Sequence, residues 1–166
     1  MLIRTIRPGD AEQFLNLCKR LDEETQFMMF EPGERTTTVE EQRDHIERLL
    51  IQENSTTFVV EHNGQLVGYL SASGGEFRRN KHSAYIVIGI LQEFTGQGIG
   101  GQLFAALEEW ARQSAISRLE LTVMTHNKAG LALYRRRGFA IEGTKKHALL
   151  IDEQYVDEYY MAKLLD

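Results

Sequence analysis

The feature that most restricts the fold of this chain is a glycine-rich run, Phe94-Thr95-Gly96-Gln97-Gly98-Ile99-Gly100-Gly101. Before it, Ser83 to Leu91 is almost continuously apolar and β-branched, which predicts a central strand buried on both faces. After it, apolar residues recur at helical spacing from Ile99 to Ala111. A strand, a glycine turn and a helix in this order bring backbone N–H groups into one concavity at a helix N-terminus, which suits a phosphate. A plain tight turn is the alternative interpretation.

Two common phosphate-binding sites do not fit this run. It lacks the Lys-[Ser/Thr] ending with which a nucleoside-triphosphate loop holds phosphate and magnesium. Its glycine spacing also differs from the dinucleotide fingerprint, and it does not follow the first strand of a βαβαβ series. The pattern therefore predicts another phosphate-bearing ligand.

The rest of the chain predicts one sheet with helices, of the α+β or mixed α/β class. Turn and capping signals delimit the elements, and the stretch from Thr25 to Thr37 is an irregular, semi-apolar loop. The predicted elements are a strand over Leu2–Ile6, a helix capped by Asp10, a helix opened by the Thr38/Glu41 capping box, a hairpin turning at Asn63-Gly64, strands over Ser83–Leu91 and Leu119–Val123, a helix from Asn127 to about Arg137, and strands over Phe139–Ile151 and Tyr155–Leu164.

Composition narrows the class of protein. With 166 residues, 42% hydrophobic and 26% charged, the chain predicts a single soluble domain over residues 1–166. Its net charge of −5 disfavours nucleic-acid binding. The apolar stretch Ala84–Leu91 is too short to cross a membrane, and Met1–Asp10 shows no secretory signal, so we expect a cytoplasmic protein. The lone Cys18 and the absence of zinc-ligand spacing predict neither a disulfide nor a metal site.

A second motif lies downstream, Val123-Met124-Thr125-His126-Asn127-Lys128-Ala129-Gly130-Leu131-Ala132-Leu133-Tyr134-Arg135-Arg136-Arg137-Gly138-Phe139. Together with the glycine run and the helix after it, this segment closely resembles the GNAT superfamily of N-acetyltransferases, in the family's order and spacing. The resemblance implies a single mixed, mostly antiparallel sheet flanked by helices, with splayed central strands. It also implies acetyl-coenzyme A as co-substrate.

The resemblance implies a set of cofactor-binding residues. The pyrophosphate would be held by backbone N–H groups of the glycine run, the pantetheine arm by main-chain atoms at the strand end and by Asn127, and the sulfur would lie near Tyr134. The residues are Ile88, Ile90, Thr95, Gly96, Gln97, Gly98, Ile99, Gly100, Gly101, Asn127 and Tyr134. One departure is Thr95, where the family has Arg or Gln, so a side-chain cation is missing.

Direct transfer of an acetyl group to an amine needs an acid for the leaving thiolate and an acceptor for the amine proton. Tyr134 is the predicted general acid, and simple packing at a helix end is its alternative role. The position where some family members carry a glutamate base is Thr122, so that assignment fails. The remaining candidates are Glu120, Tyr85, Glu24, Glu31 and His126, with a water chain preferred. Cys18 is expected in the core and not as a nucleophile.

The acceptor site is expected between the Thr25–Thr37 loop, the loop around residues 75–81 and the final hairpin. Acidic residues in or near these segments could attract an amine: Glu24, Glu31, Glu34, Asp157 and Glu158. We therefore expect a small-molecule primary amine as acceptor and leave a homodimer open. The rival hypotheses are a peptide N-terminus as acceptor and a non-catalytic module that binds acyl-coenzyme A.

Overall fold

The computed structural model describes all 166 residues and contains seven strands and four helices. In chain order they are β1 (Leu2–Thr5), α1 (Ala11–Glu24), α2 (Val39–Leu50), β2 (Thr56–His62), β3 (Gln65–Gly74), β4 (Ser83–Ile90), α3 (Ile99–Gln113), β5 (Arg118–Met124), α4 (Lys128–Arg136), β6 (Ala140–Ile151) and β7 (Gln154–Leu164). Every element predicted from the sequence is present within a few residues of its expected bounds. No helix in it is both long enough and apolar enough to cross a membrane.

All seven strands form one sheet in the order β1-β2-β3-β4-β5-β7-β6. Neighbouring strands are antiparallel except β4 and β5, which run parallel. The β4–β5 ladder covers only the pairs from Ser83–Arg118 to Tyr85–Glu120, whereas β5 stays paired with β7 as far as Met124. The two central strands therefore diverge after Tyr85, which confirms the predicted splay and opens a split in the middle of the sheet.

Helices cover both faces of the sheet. Leu21 of α1 lies so close to Gly89 of β4 that a Cβ on that glycine would meet it at 2.7 Å. On the opposite face, Lys163 of β7 forms a close ion pair with Glu108 of α3 and donates to the Arg137 carbonyl after α4. Helices α1 and α2 thus cover one face of the sheet, and α3 and α4 cover the other. The split between the central strands is open to both faces, so side chains from both can contribute to a site there.

Strand β4 differs from the sequence-based prediction. The prediction of burial on both faces is wrong, because Tyr85 and Val87 are 41% and 38% exposed, while Ala84 and Ile86 on the other face are buried. The apolar run is continuous, yet α1 and α2 do not extend over this part of the strand. The exposed side chains therefore line an open surface beside the split.

Asp10 also has a different role from the one predicted. It occupies the position before α1, but its side chain makes no capping bond to that helix. Instead its carboxylate accepts hydrogen bonds from both terminal nitrogens of Arg4, at 2.8 and 2.9 Å, and from the Arg7 N–H. An ion pair to β1 has thus replaced the cap. The capping predictions for Thr38 and Asn127 are confirmed, because each side chain accepts an N–H of its own helix.

Candidate active site

The glycine run forms an open loop at the N-terminus of α3. Gly96 and Gly98 have φ angles of 75° and 81°, in the left-handed region that favours glycine. None of the backbone N–H groups of residues 96–101 has a hydrogen-bond acceptor in the protein. Unsatisfied N–H groups at the positive end of a helix dipole form an anion site. This geometry is the one the sequence predicts for residues 96–101.

Gly100 and Gly101, the last two glycines of this run, differ in the space around them. A Cβ on Gly100 would lie 2.9 Å from the Leu133 side chain of α4, so the absent side chain lets α3 and α4 approach. A Cβ on Gly101 would meet nothing within 4 Å. Gly100 is therefore needed for packing, and Gly101 is free of any steric requirement.

Thr95 serves the loop itself. Its hydroxyl donates to the Gln92 carbonyl at 2.7 Å, and its N–H donates to the same oxygen at 3.2 Å. The Gln92 N–H in turn donates to the Glu24 carboxylate at 3.0 Å. The Thr95 N–H, which the resemblance implies as a pyrophosphate donor, is thus engaged in the turn together with the Thr95 hydroxyl, and Glu24 at the end of α1 holds the turn in place.

The backbone of β4 beyond Tyr85 has free polar groups directed into the split. Leu91 N–H donates to β3, and Ser83 accepts from Gly75 after β3, so the odd-numbered residues of β4 pair with β3. Because the N–H and C=O of one residue point to the same side of an antiparallel pair, the even-numbered residues face β5. Since β5 has diverged there, the main-chain groups of Ile88 and Ile90 are available to a ligand in the split.

Tyr134 of α4 lies on the other side of the split and is only 8% exposed. Its ring makes edge contacts with Phe104, at 5.9 Å between centroids, and tilted contacts with Phe139, at 6.2 Å. Burial, with a smaller contribution from the nearby phenol of Tyr85, raises the pKa of Tyr134 to about 12. The phenol therefore stays protonated at neutral pH, as a general acid must be.

Asn127 initiates α4. Its side-chain oxygen accepts the Gly130 N–H at 3.0 Å. A Cβ on Gly130 would lie 2.7 Å from the Asn127 amide nitrogen, so the glycine makes room for the cap. The oxygen is thereby occupied, while the amide nitrogen has no partner in the protein and is free to donate to a ligand.

A pair of hydroxyls bridges β4 and β5 where their ladder ends. The hydroxyl oxygens of Tyr85 and Thr122 lie 2.7 Å apart and form a hydrogen bond. A cavity of about 380 Å³ opens beside this pair, between β4 and the strands β5, β6 and β7. Arg118 lies in its wall and binds Glu120 at 2.9 Å and Glu142 at 2.6 Å, so both carboxylates are paired.

The loop between α1 and α2 is anchored at several points. Arg35 binds the buried carboxylate of Asp22 through two hydrogen bonds, at 2.9 and 3.1 Å, and its guanidinium lies over the Phe30 ring at 4.5 Å. Phe27 packs against the His126 ring beyond β5, with 5.2 Å between centroids. A loop fixed in this way can form the roof of a small-molecule site.

The candidate bases from the sequence analysis are mostly engaged elsewhere. Glu120 accepts from Arg118, Glu24 accepts from Gln92, and the Tyr85 hydroxyl bonds to Thr122. The other two candidates, Glu31 and His126, make no side-chain hydrogen bond within the protein, and the His126 ring packs against Phe27. Cys18 is buried as expected, and burial raises the pKa of its thiol to about 11, which makes it a poor nucleophile.

Comparison with known proteins identifies the family. The sequence model of the acetyltransferase (GNAT) family matches residues 18–139, which include both motifs. The chain belongs to the GNAT acetyltransferase family. It is accordingly an acyltransferase, and the family assignment confirms acetyl-coenzyme A as the co-substrate.

Characterised relatives of this GNAT acetyltransferase include an L-amino acid N-acetyltransferase of Escherichia coli strain K12. The two are 32% identical over 135 residues, which cover 78% of this chain and 82% of the relative. The ribosomal protein uS5-alanine N-acetyltransferase of the same strain is 36% identical over 86 residues, covering 51% of this chain and 44% of that protein. These proteins acetylate different kinds of amine, so similarity alone leaves the acceptor open.

Solved structures agree with the fold. A GNAT-family acetyltransferase from Streptococcus pneumoniae superposes with a TM-score of 0.95 at 31% identity, over 99% of both chains. An acetyltransferase from Salmonella typhimurium, solved with acetyl-coenzyme A, superposes with a TM-score of 0.88 at 19% identity, over 100% of this chain and 94% of that one. The predicted sheet with splayed central strands is thus the GNAT fold.

Some site residues were not identified from the sequence. Asp22 and Arg35 form the loop's anchor, and Asp22 had a detectable signal because it follows the apolar residue Cys18 by four positions on the buried face of α1. The sequence drew attention to Thr122 only because some family members carry a glutamate base at that position. In the structure its hydroxyl bonds to Tyr85 and bridges the diverging strands. Neither partner, Arg35 nor Tyr85, could be assigned without the fold.

Proposed function

We propose that this enzyme transfers the acetyl group of acetyl-coenzyme A directly to the primary amine of a small molecule, as one domain over residues 1–166. The observation that supports it best is the buried, protonated phenol of Tyr134 beside a split lined by free main-chain groups. The buried, weakly acidic thiol of Cys18 is consistent with transfer that involves no acetyl-enzyme intermediate.

In this proposal the cofactor lies along the split. The N–H groups of residues 96–101 bind its pyrophosphate, and Thr95 shapes their turn. The main-chain groups of Ile88 and Ile90 bind the pantetheine amides, and the free amide nitrogen of Asn127 donates to the same arm. Tyr134 then lies beside the sulfur.

The chemistry follows from these positions. At neutral pH an amine with an ordinary pKa of about 10.4 is protonated, so the acceptor nitrogen first loses a proton to water. The neutral nitrogen then attacks the thioester carbonyl. The carbon–nitrogen bond forms and the carbon–sulfur bond breaks. Tyr134 donates a hydrogen bond to the departing sulfur, and the second proton of the attacking nitrogen passes through water and Tyr134 to that sulfur, which leaves as the thiol. The free N–H of a β4 residue in the split is positioned to stabilise the oxyanion.

The acceptor is proposed to be a small amine because the α1–α2 loop is fixed over the site by the Asp22–Arg35 pair and the Phe27 contact. The L-amino acid N-acetyltransferase from E. coli makes amino acids the first acceptors to test. Peptides that begin with alanine are the second group, because another relative acetylates the alanine of a ribosomal protein.

The test is thiol release from acetyl-coenzyme A in the presence of amino acids, polyamines, aminoglycosides and short peptides, with products identified by mass. Release that depends on one class of amine is the expected result. If the protein binds acetyl-coenzyme A in calorimetry but releases no thiol above background with any amine, it is a binding module, and the proposed transfer is wrong.

A further inference from the structure

Glu158 of β7 is the one acidic residue near the acceptor segments that is both buried and without a partner. Its exposed fraction is 8%, and no hydrogen bond or ion pair within the protein reaches its carboxylate. Neither carboxylate oxygen is among the side-chain atoms that are completely enclosed and unsatisfied. The side chain is therefore buried along its length, while the carboxylate oxygens still touch open space.

The sheet places this carboxylate on the acceptor side. Glu158 pairs in register with Met124 of β5 and with Lys145 of β6. Tyr160, two residues along β7, pairs with Thr122, whose hydroxyl bonds to Tyr85 at the base of the split. Because alternate residues of a strand share a face, Glu158 lies on the same face as these hydroxyls.

The α1–α2 loop begins over the same region. Phe27 contacts His126, two residues beyond Met124, and the Gln26 amide donates to Asp152 in the turn between β6 and β7, at 3.1 Å. Through these two contacts the loop reaches both the end of β5 and the β6–β7 turn. It therefore crosses β7, the strand that contains Glu158. The loop thus passes over the part of the sheet that includes Glu158.

Four other carboxylates in this part of the protein have partners, and this contrast supports the inference. Glu120 and Glu142 bind Arg118, Glu24 accepts the Gln92 N–H, and Asp157 accepts the His147 N–H at 2.8 Å. A carboxylate that is buried along its side chain, has no partner in the protein and keeps its oxygens open is available to bind a cation through charge-assisted hydrogen bonds. Lys145, its neighbour in register, forms no ion pair with it.

We propose that Glu158 binds the ammonium group of the acceptor and selects cationic amines. The ammonium N–H groups donate to the carboxylate oxygens before transfer, and the inference concerns this binding step alone. It rests on the proposed function, which supplies the amine, and it names the residue that recognises the charge.

The first experiment compares Glu158→Gln with the wild type. The substitution keeps the shape of the side chain and removes its charge, so we expect the acceptor KM to rise about 10- to 100-fold, the value of a hydrogen bond to a charged group. The KM for acetyl-coenzyme A should stay within about twofold. Glu158→Asp, which keeps the charge, should retain more acceptor affinity than Glu158→Gln. The matched control is Glu153→Gln in the exposed hairpin turn, which should leave both constants unchanged.

A second experiment separates charge recognition from a general structural effect. L-Leucinamide is mostly cationic at pH 7, whereas the hydrazide of 4-methylpentanoic acid, which has the same carbon skeleton but no α-amino group, is neutral. The loss caused by Glu158→Gln should be large for the cation and small for the hydrazide. An equal loss for both, or no change in the acceptor KM, would overturn the inference.

A third measurement distinguishes this inference from the proposed function. Binding of the same amines to the wild type and to Glu158→Gln is followed by calorimetry with saturating coenzyme A present, so it needs no turnover. Amine binding that depends on Glu158 without thiol release would refute the transfer and keep the inference. Thiol release and amine binding that are both unaffected by the substitution would refute the inference and keep the transfer.

Discussion

Tyr134→Phe is the most direct test of the proposed chemistry. The substitution leaves the ring in place against Phe104 and Phe139, so the aromatic contacts persist. The lost hydroxyl has no hydrogen-bond partner within the protein, so its removal leaves no polar group unpaired and should change the free energy of unfolding by less than about 1 kcal/mol. A change in kcat would therefore report on chemistry.

The size of the expected effect follows from the pKa of the phenol, which burial raises to about 12. A thiol has an ordinary pKa of about 8.5, so moving the proton completely from such a phenol to a free thiolate is uphill by about 5 kcal/mol. Tyr134 then acts mainly by donating a hydrogen bond as negative charge develops on sulfur. We therefore expect kcat to fall about 100-fold, at the lower end of general acid catalysis.

The pH dependence gives a sharper test. A phenol with a raised pKa keeps its proton to higher pH, so the ratio of wild-type to Tyr134→Phe kcat should be constant between about pH 6 and pH 10. Thiol release under saturating acetyl-coenzyme A and amine measures it, with Tyr155→Phe, an exposed tyrosine, as the control. An unchanged kcat in Tyr134→Phe would refute the role, and a ratio that falls towards one near pH 10 would refute the raised pKa.

The remaining predictions concern the anion loop, the roof loop and the first strand. Gly98→Ala should weaken acetyl-coenzyme A binding in calorimetry at least about fivefold, because alanine costs about 1 kcal/mol in the left-handed region, whereas Gly101→Ala, in open helical space, should leave binding unchanged. Asp22→Asn removes the buried carboxylate of the loop's ion pair and should cost about 3 kcal/mol in urea unfolding. The hydrogen bond from Arg4 lowers the pKa of Asp10, so its stabilisation is present above about pH 4 and lost as the pH falls through the lowered pKa. Urea unfolding of Asp10→Asn should therefore differ most from wild type at pH 7, and the difference should shrink as the pH falls below about 4.

The geometry of the glycine loop and of the α4 cap could be predicted from the sequence because both are local. Gly96 and Gly98 lie between a strand and a helix, and Asn127 lies directly before the helix it caps, so neighbouring residues suffice to determine each geometry. The free N–H groups of the loop follow from the turn and the helix start alone. Local patterns therefore suffice to predict the loop whose free N–H groups we propose as the pyrophosphate donors.

The acceptor side depends on long-range contacts, and there the predictions were incomplete. The exposure of Tyr85 and Val87 results from the divergence of β4 from β5 and from where α1 ends, which no pattern within β4 encodes. The ion pair of Asp22 with Arg35 joins a helix to a loop, and its effect is to fix the roof. Five acidic residues looked equivalent in the sequence until hydrogen bonds and burial separated them.

The arrangement of charge across the split has a consequence for product release. The unsatisfied N–H groups of residues 96–101 attract the anionic end of the cofactor, and under our inference Glu158 attracts the cationic end of the acceptor. Acetylation converts that ammonium group into a neutral amide, which has one N–H and no charge. The product therefore cannot make the charge-assisted hydrogen bonds that held the substrate. Their loss lowers its affinity for the site about 10- to 100-fold. An N-acetylated product should accordingly inhibit weakly against the acceptor, because the reaction itself removes the charge by which the acceptor was recognised.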